Sequence, residues 1–237
     1  MKAVKSGVDG GLHSGHTEEQ SGGNGMRKCY RTIKKEASAE YEEKKSRFIA
    51  EVLPIVSEEE AIAFINGAKS RHKMAGHHVY AYYLAETMQI KRYSDDGEPQ
   101  GTAGIPVLDV IEKNRMEDVV IVVTRYFGGV LLGAAGLIRA YGKAAALAVE
   151  KAGVVERRIA DEWSLLVEYP MFQPVRNDLE KNGYGIRGVQ YASDVEISVQ
   201  VPTERGEEFS RRLADLTNGT AIAEIVGQSY LQTDVLR

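Results

Sequence analysis

The sequence of 237 residues contains one cysteine, one tryptophan and six prolines. A lone Cys29 cannot close a disulfide within the chain, which excludes a small stapled scaffold. It lies in a basic, strand-like stretch with no histidine nearby, so an inert thiol is expected rather than a nucleophile with an arranged base. No run approaches the roughly 18 to 20 consecutive apolar residues that cross a bilayer, and the longest, such as 119–123, have strand length. The opening residues lack the basic, apolar, small-residue order of a secretory signal. The expectation is a soluble protein of the reducing cytoplasm. Neither charge dominates: 30 Lys and Arg against 34 Asp and Glu leave a net charge of -4, which argues against strong nonspecific binding to nucleic acid. Gly-x-Ser-x-Gly, His-Glu-x-x-His and Cys-x-x-Cys are all missing, so no catalytic residue, metal ligand or cofactor is assigned.

What is present suffices for two cores. Residues 1–25 carry many glycines and few large apolar side chains, too little to offset the entropy of ordering, and are expected to form a disordered tail. At Met26, a candidate alternative start, the text becomes structured. Strands are predicted over 30–35 and 47–55, then a helix from Ser57 to about Lys69 in which Ser57 caps and Glu60 stands where a capping box needs it. A hairpin follows (77–85 and 90–93), a helix opening at Gly97-Glu98-Pro99 and running to about Lys113, a wholly apolar strand at 119–124 buried on both faces, and an alanine-rich helix over 134–151.

From Trp163 the rhythm changes to strand (163–169), helix (171–181), two strands (184–192 and 195–201), helix (203–217) and strand (222–230). That βαββαβ order closes into a ferredoxin-like antiparallel sheet with both helices on one face. Charge shifts with it: residues 26–158 hold 21 basic and 18 acidic side chains, residues 159–237 only 7 against 13. The fold class expected is therefore α+β in two domains, 26–158 and 159–237.

Three stretches could carry chemistry. Asp95, Asp96 and Glu98 crowd three carboxylates into four residues, next to Thr102. They could hold a hard cation or divide acid and base roles, or simply shape a turn and a helix N-terminus. Arg125-Tyr126-Phe127-Gly128-Gly129 leads from the apolar strand toward a helix bearing Arg139. Glycines there could expose backbone N–H groups to an anion beside Arg125 and Arg139, or let the helix pack tightly on the sheet. The segment is neither a nucleotide P-loop, since Ala134 and Ala135 replace Lys and Ser/Thr, nor a dinucleotide fingerprint. Alternation along 77–85 puts His78, Tyr80 and Tyr82 on one face and His77, Val79, Ala81 and Tyr83 on the other. The first stripe could stack bases, or lie under a helix or the second domain.

These motifs carry a resemblance. Lys45-Ser46-Arg47-Phe48-Ile49-Ala50, His77-His78-x-Tyr80-Ala81-Tyr82, Asp95-Asp96-Gly97-Glu98-Pro99-x-Gly101-Thr102-Ala103-Gly104-x-Pro106, and Thr124-Arg125-Tyr126-Phe127-Gly128-Gly129 with Leu132-Gly133-x-x-Gly136-Leu137-x-Arg139-Ala140-Tyr141 resemble the IMPACT family in its bacterial YigZ-type form. The match runs over about residues 28–230. Leu131 stands where many members have Lys, and Ala135 where many have Gly, which removes a cation and adds bulk at the bend. The resemblance implies an N-terminal α/β sandwich like the second domain of a small-subunit ribosomal protein, with a left-handed βαβ crossover, and a C-terminal domain similar to the last domains of elongation factor G.

Both relatives touch RNA, so the resemblance implies a translation-associated protein; the translation regulation of eukaryotic members goes with a further partner-binding domain that this sequence does not show, and is not transferred whole. The expected role is a cytosolic regulator, not an enzyme, binding RNA, the ribosome or a translation-factor partner through His78, Asp95, Asp96, Glu98, Thr102, Arg125, Tyr126, Gly128, Gly129 and Arg139. The alternative is a metal-assisted enzyme on a small phosphorylated or nucleotide-like substrate, and a third reading treats the loops as folding hardware and the protein as a protein-protein adaptor.

Overall fold

A computed structural model describes residues 27–85 and 89–235, so the expectation for the tail 1–25 lies outside the described residues. In chain order the first part contains β1 (Cys29–Ile33), β2 (Ala37–Glu43), β3 (Ser46–Pro54), α1 (Glu58–Arg71), β4 (His77–Leu84), β5 (Ile90–Ser94), α2 (Gly104–Lys113), β6 (Val119–Tyr126) and α3 (Gly133–Ala152). The second contains β7 (Val154–Val167), α4 (Tyr169–Lys181), β8 (Gly185–Tyr191), β9 (Val195–Pro202), α5 (Gly206–Thr217) and β10 (Ile222–Asp234). The architecture is mixed α+β with two sheets.

The first sheet has the order β2-β3-β6-β4-β5, antiparallel throughout. Its centre is β6, whose residues 119–123 have no exposure, as a strand apolar on both sides requires. One face packs on α1: Ile55, Tyr82, Leu84, Val120 and Val122 meet Ala61, Ile65 and Ala68. The other packs on α2 and α3, where Phe48, Val79, Ile121 and Val123 meet Val107, Ile111, Leu137, Tyr141 and Ala144. The His78-Tyr80-Tyr82 stripe therefore lies against α1, with Tyr82 buried and Tyr80 stacked on it at 6.3 Å between centroids. Helix α1 starts where its cap residues place it: Glu60 N–H donates to Ser57 Oγ (3.3 Å) and Glu60 Oε2 accepts from Val56 N–H (2.9 Å), one residue before the cap.

Two elements of the first part differ from expectation. β2 was not anticipated, because Ala-Ser-Ala-Glu-Tyr-Glu-Glu is poor in the β-branched residues that signal a strand; it forms by pairing with β3 and laying Tyr41 toward the core. The second helix begins at Gly104, not at Gly97. Asp96, Gly97 and Gly101 have φ of 44°, 87° and 76°, so the backbone reverses instead of coiling. The Asp95 carboxylate gathers the loop, accepting from Gly101 N–H (2.9 Å), Ala103 N–H (3.0 Å) and Gly104 N–H (2.8 Å). It caps α2 from nine residues upstream, where the adjacent Ala103 has no side chain able to do so.

The second sheet runs β10-β7-β9-β8, the strand order of the ferredoxin-like βαββαβ unit. Helices α4 and α5 share one core: Trp163, Leu165, Ile197 and Val199 pack against Val175, Leu179, Phe209 and Leu213. β7 begins well before the expected Trp163, and its first residues pair with β1, from Cys29↔Arg158 to Ile33↔Val154. β1 thus sits in the second sheet while Ile33 is buried in the first core. Glu117 N–H donates to the Arg31 carbonyl (2.8 Å), Lys34 N–H to the Gly153 carbonyl (2.8 Å), and Arg27 forms ion pairs with Glu117 and Asp118. No helix among the described residues is long and apolar enough to cross a membrane.

Replacing Asp95 by alanine leaves three loop N–H groups without their acceptor. Asp95→Ala should destabilise the chain by about 1 to 2 kcal/mol or more, the cost of a lost cap, and Asp95→Asn by less. Urea unfolding curves of the three proteins check the order.

Candidate functional site

Alternation along β6 decides where its end residues go. Val119, Ile121, Val123 and Arg125 share the face of α2 and α3, whereas Thr124 and Tyr126 share the face of α1. Arg125 therefore emerges beneath the loop that Asp95 gathers, and meets Glu98. Arg125 Nη1 donates to Glu98 Oε1 at 2.6 Å, with the two side chains only 6% and 4% exposed. The Tyr141 hydroxyl, from α3, donates to the same oxygen at 2.7 Å, and His77 Nε2 lies 3.8 Å from it. Burial, and next the bond to Glu98, push the Tyr141 phenol well above the usual tyrosine range.

A buried ion pair needs neighbouring polar groups around it, and here they reach both terminal nitrogens of Arg125 while its Nε is buried without a hydrogen-bond partner. Ser46, at the start of β3, supplies one: its Oγ accepts from Arg125 Nη2 (3.3 Å) and from Gly128 N–H (3.2 Å). The Phe48 and Phe127 rings flank the guanidinium at 5.5 and 5.6 Å. Gly128 is pressed directly on the β2–β3 turn, where an added Cβ would lie 2.0 Å from the Lys45 carbonyl carbon. A side chain at 128 would lift the turn and take Ser46 away.

The sequence-named residues divide accordingly. Glu98, Arg125 and Gly128 come together on the α2/α3 face, joined by Ser46, Tyr141 and His77. His78 and Tyr126 face α1: His78 Nε2–H donates to the His72 carbonyl (3.2 Å), and the Tyr126 hydroxyl shares a hydrogen bond with His72 Nδ1 (3.1 Å). Asp96 sits between, its Oδ2 accepting from His78 N–H (2.6 Å) and its carbonyl from His77 Nδ1–H (2.8 Å). The Thr102 hydroxyl donates to the Pro99 carbonyl (2.6 Å) and shapes the loop. Gly129 has φ of 81° with open space around it. Asp95, Asp96 and Glu98 thus spend their oxygens on separate partners, and among the described residues no group of three His, Cys, Asp or Glu could hold a metal ion.

The two motif loops face each other across a cavity of about 360 Å³. Glu98 and Arg125 meet it from below, Pro99 from one side, and Phe127, Leu131, Leu132, Ala134 and Leu137 from the other. Its walls are mainly apolar, and the one cation it touches is already neutralised. Arg139 lies elsewhere, in a second cavity of about 400 Å³ with Lys44, Lys143 and Tyr41. Sequence reasoning did not single out Ser46, His77 or Tyr141 as site residues, although each stands inside a motif it quoted.

Two family descriptions match this chain: the Impact N-terminal domain over residues 44–149, and a domain of unknown function, DUF1949, over residues 165–220. The chain is similar to the IMPACT family member YvyE of Bacillus subtilis, 37% identical over 210 residues, covering 89% of this chain and 97% of that one. It is also similar to the IMPACT family member YigZ of Escherichia coli, 34% identical over 75% of this chain and 88% of that one. With the Protein IMPACT homolog of Dictyostelium discoideum the likeness is 41% over 95 residues, 38% of this chain and 27% of that one. A crystal structure described as that of a hypothetical protein covers 85% of this chain and 99% of its own at 30% identity, with a TM-score of 0.54.

Removing one member of the ion pair strands a buried charge. Arg125→Ala should cost about 3 to 5 kcal/mol, while Glu98→Gln combined with Arg125→Met should lose much less. Thermal melts of the single and double variants decide it; equal losses would mean the pair is not what holds the loops together.

Proposed function

This chain belongs to the IMPACT family, and from that premise we propose that it is a translation-associated regulator that works by binding a component of the translation machinery through its first module. The observation that carries the reading is the apolar cleft between the two motif loops, walled by side chains that an isolated protein would ordinarily bury. Leu131 is 83% exposed and Phe127 56% exposed at its edge, with Val130 and Ile138 close by in sequence and also exposed. Contiguous exposed apolar residues on loops held by a rigid scaffold are what a partner covers.

Among RNA, the ribosome and a translation factor, the cleft favours a protein surface. Arg125 is not free to meet a phosphate, since Glu98 neutralises it, and the bend spends the Gly128 N–H on Ser46. Apolar walls with few free polar groups suit a protein side chain.

Sedimentation of the full chain with ribosomes and their bound factors through a sucrose cushion tests this. Leu131→Asp, at an exposed position, should leave the melting temperature unchanged and cut recovery by about tenfold, the effect of losing roughly 1.4 kcal/mol of binding. Equal recovery of variant and wild type, or no recovery of the wild type at low salt, would refute the proposal.

A further inference from the structure

Leu132 lines both cavities, so the apolar cleft and the cationic one are neighbours across a single side chain. Gly136, Arg139, Ala140 and Lys143 continue the second along one stripe of α3, at the spacing that puts residues on one helix face. Gly136 and Ala140 leave its floor open, and an added Cβ at Gly136 would come within 2.9 Å of the Leu132 Cβ. Lys44, on the β2–β3 turn, forms the opposite wall. Among the described residues neither Lys44, Arg139 nor Lys143 takes part in an ion pair. The one acid in this cavity, Glu43, accepts the Tyr41 hydroxyl at 2.8 Å. Three cations against one carboxylate make a local excess of positive charge on a chain whose net charge is -4.

We propose that the two cavities are one bipartite site for an acidic peptide segment of a partner protein: an apolar side chain of the partner seats between Pro99 and Leu131, and carboxylates a few residues away meet Lys44, Arg139 and Lys143. This rests on the binding role put forward above and names the chemistry of the partner. The two halves ask for different things. The apolar half has a neutral floor, because Glu98 and Arg125 cancel, and rewards burial of a hydrocarbon or aromatic group. The cationic half has unpaired ammonium and guanidinium groups, and Arg139 offers the planar fork that matches a carboxylate. RNA fits less well: base-stacking grooves need a run of open aromatic faces, whereas the rings here are Phe127 and His77 in the first cavity, with His77 held by the Asp96 carbonyl, and Tyr41 in the second, held by Glu43. The acidic balance of the whole chain also opposes a long polyphosphate.

The probe is a fluorescent synthetic peptide with one Leu or Phe flanked by Glu and Asp, titrated into the full chain by anisotropy. Versions with the apolar residue replaced by Ser, or the acids by Gln and Asn, should each bind at least about tenfold more weakly. Arg139→Glu with Lys143→Glu should remove the advantage of the acidic peptide over its neutral version. Ala134→Trp, which fills the first cavity from an exposed position, should remove the advantage of the apolar anchor while leaving the effect of the acids. Unchanged melting temperatures confirm that the variants fold.

Equal binding of all the peptides, or none by the wild type, overturns the proposal. So does a single-stranded RNA oligonucleotide that needs Arg139 and Lys143 while the peptide does not. Peptide binding with these dependences, in a chain that never sediments with ribosomes, would leave this site standing and refute the translation role alone.

Discussion

The ion pair between Glu98 and Arg125 is the point at which four separate stretches of the first module become one structure. The carboxylate arrives on a loop, the guanidinium at the end of the central strand, the Tyr141 hydroxyl from α3 and the Ser46 hydroxyl from a hairpin turn. Buried charges impose strict terms: Coulomb attraction offsets the loss of water only when most of the remaining donors and acceptors are satisfied, as they are here apart from Arg125 Nε, which is buried without a partner. That demand explains why the motif residues stand so far apart in the chain yet depend on one another, and why Gly128, which touches neither charge, cannot carry a side chain. What looks like an array of reactive groups is largely a fastening for two loops.

The same fastening sets the character of the cleft. Had Arg125 been free, the glycine bend would read as an anion cradle. With its charge compensated from below, the space between the loops is an apolar recess, and the cations that have no ion pair among the described residues, Lys44, Arg139 and Lys143, lie one side chain away. Placing a neutral recess beside a charged groove separates the two components of recognition, with burial supplying affinity in one and electrostatics supplying orientation and encounter rate in the other.

Much of the architecture could be read from residue patterns because it follows from periodicity. Five apolar residues in a row mark β6 as a central strand, Ser57 with Glu60 marks the start of α1, and the order of elements after Trp163 matches the ferredoxin-like sheet. β2 has no signature of its own because its residues have little strand preference, and it forms against the edge that β3 offers. Residues 97–103 read as the start of a helix because Pro99 and the neighbouring acids mimic one, whereas the helix begins at Gly104 under a cap that acts across nine residues. At the site, the partners of Arg125 could not be inferred: whether a guanidinium is free or neutralised depends on which segments fold over it, and Glu98, Ser46 and Tyr141 are 27, 79 and 16 positions away.

The seam made by β1 ties the beginning of the chain to its end. Ile33 belongs to the first core, but its strand pairs with the opening residues of β7, and Lys34 forms an ion pair with Asp234 of β10 at 2.8 Å. During vectorial synthesis at roughly 5 to 20 residues per second, the ribosome needs about 6 to 25 s to travel from Lys34 to Arg158, where the stretch of β7 that pairs with β1 ends. For that interval the nascent amino-terminal strand has no ladder to join, and the first core waits, open along one side, for a sheet that has not yet been translated.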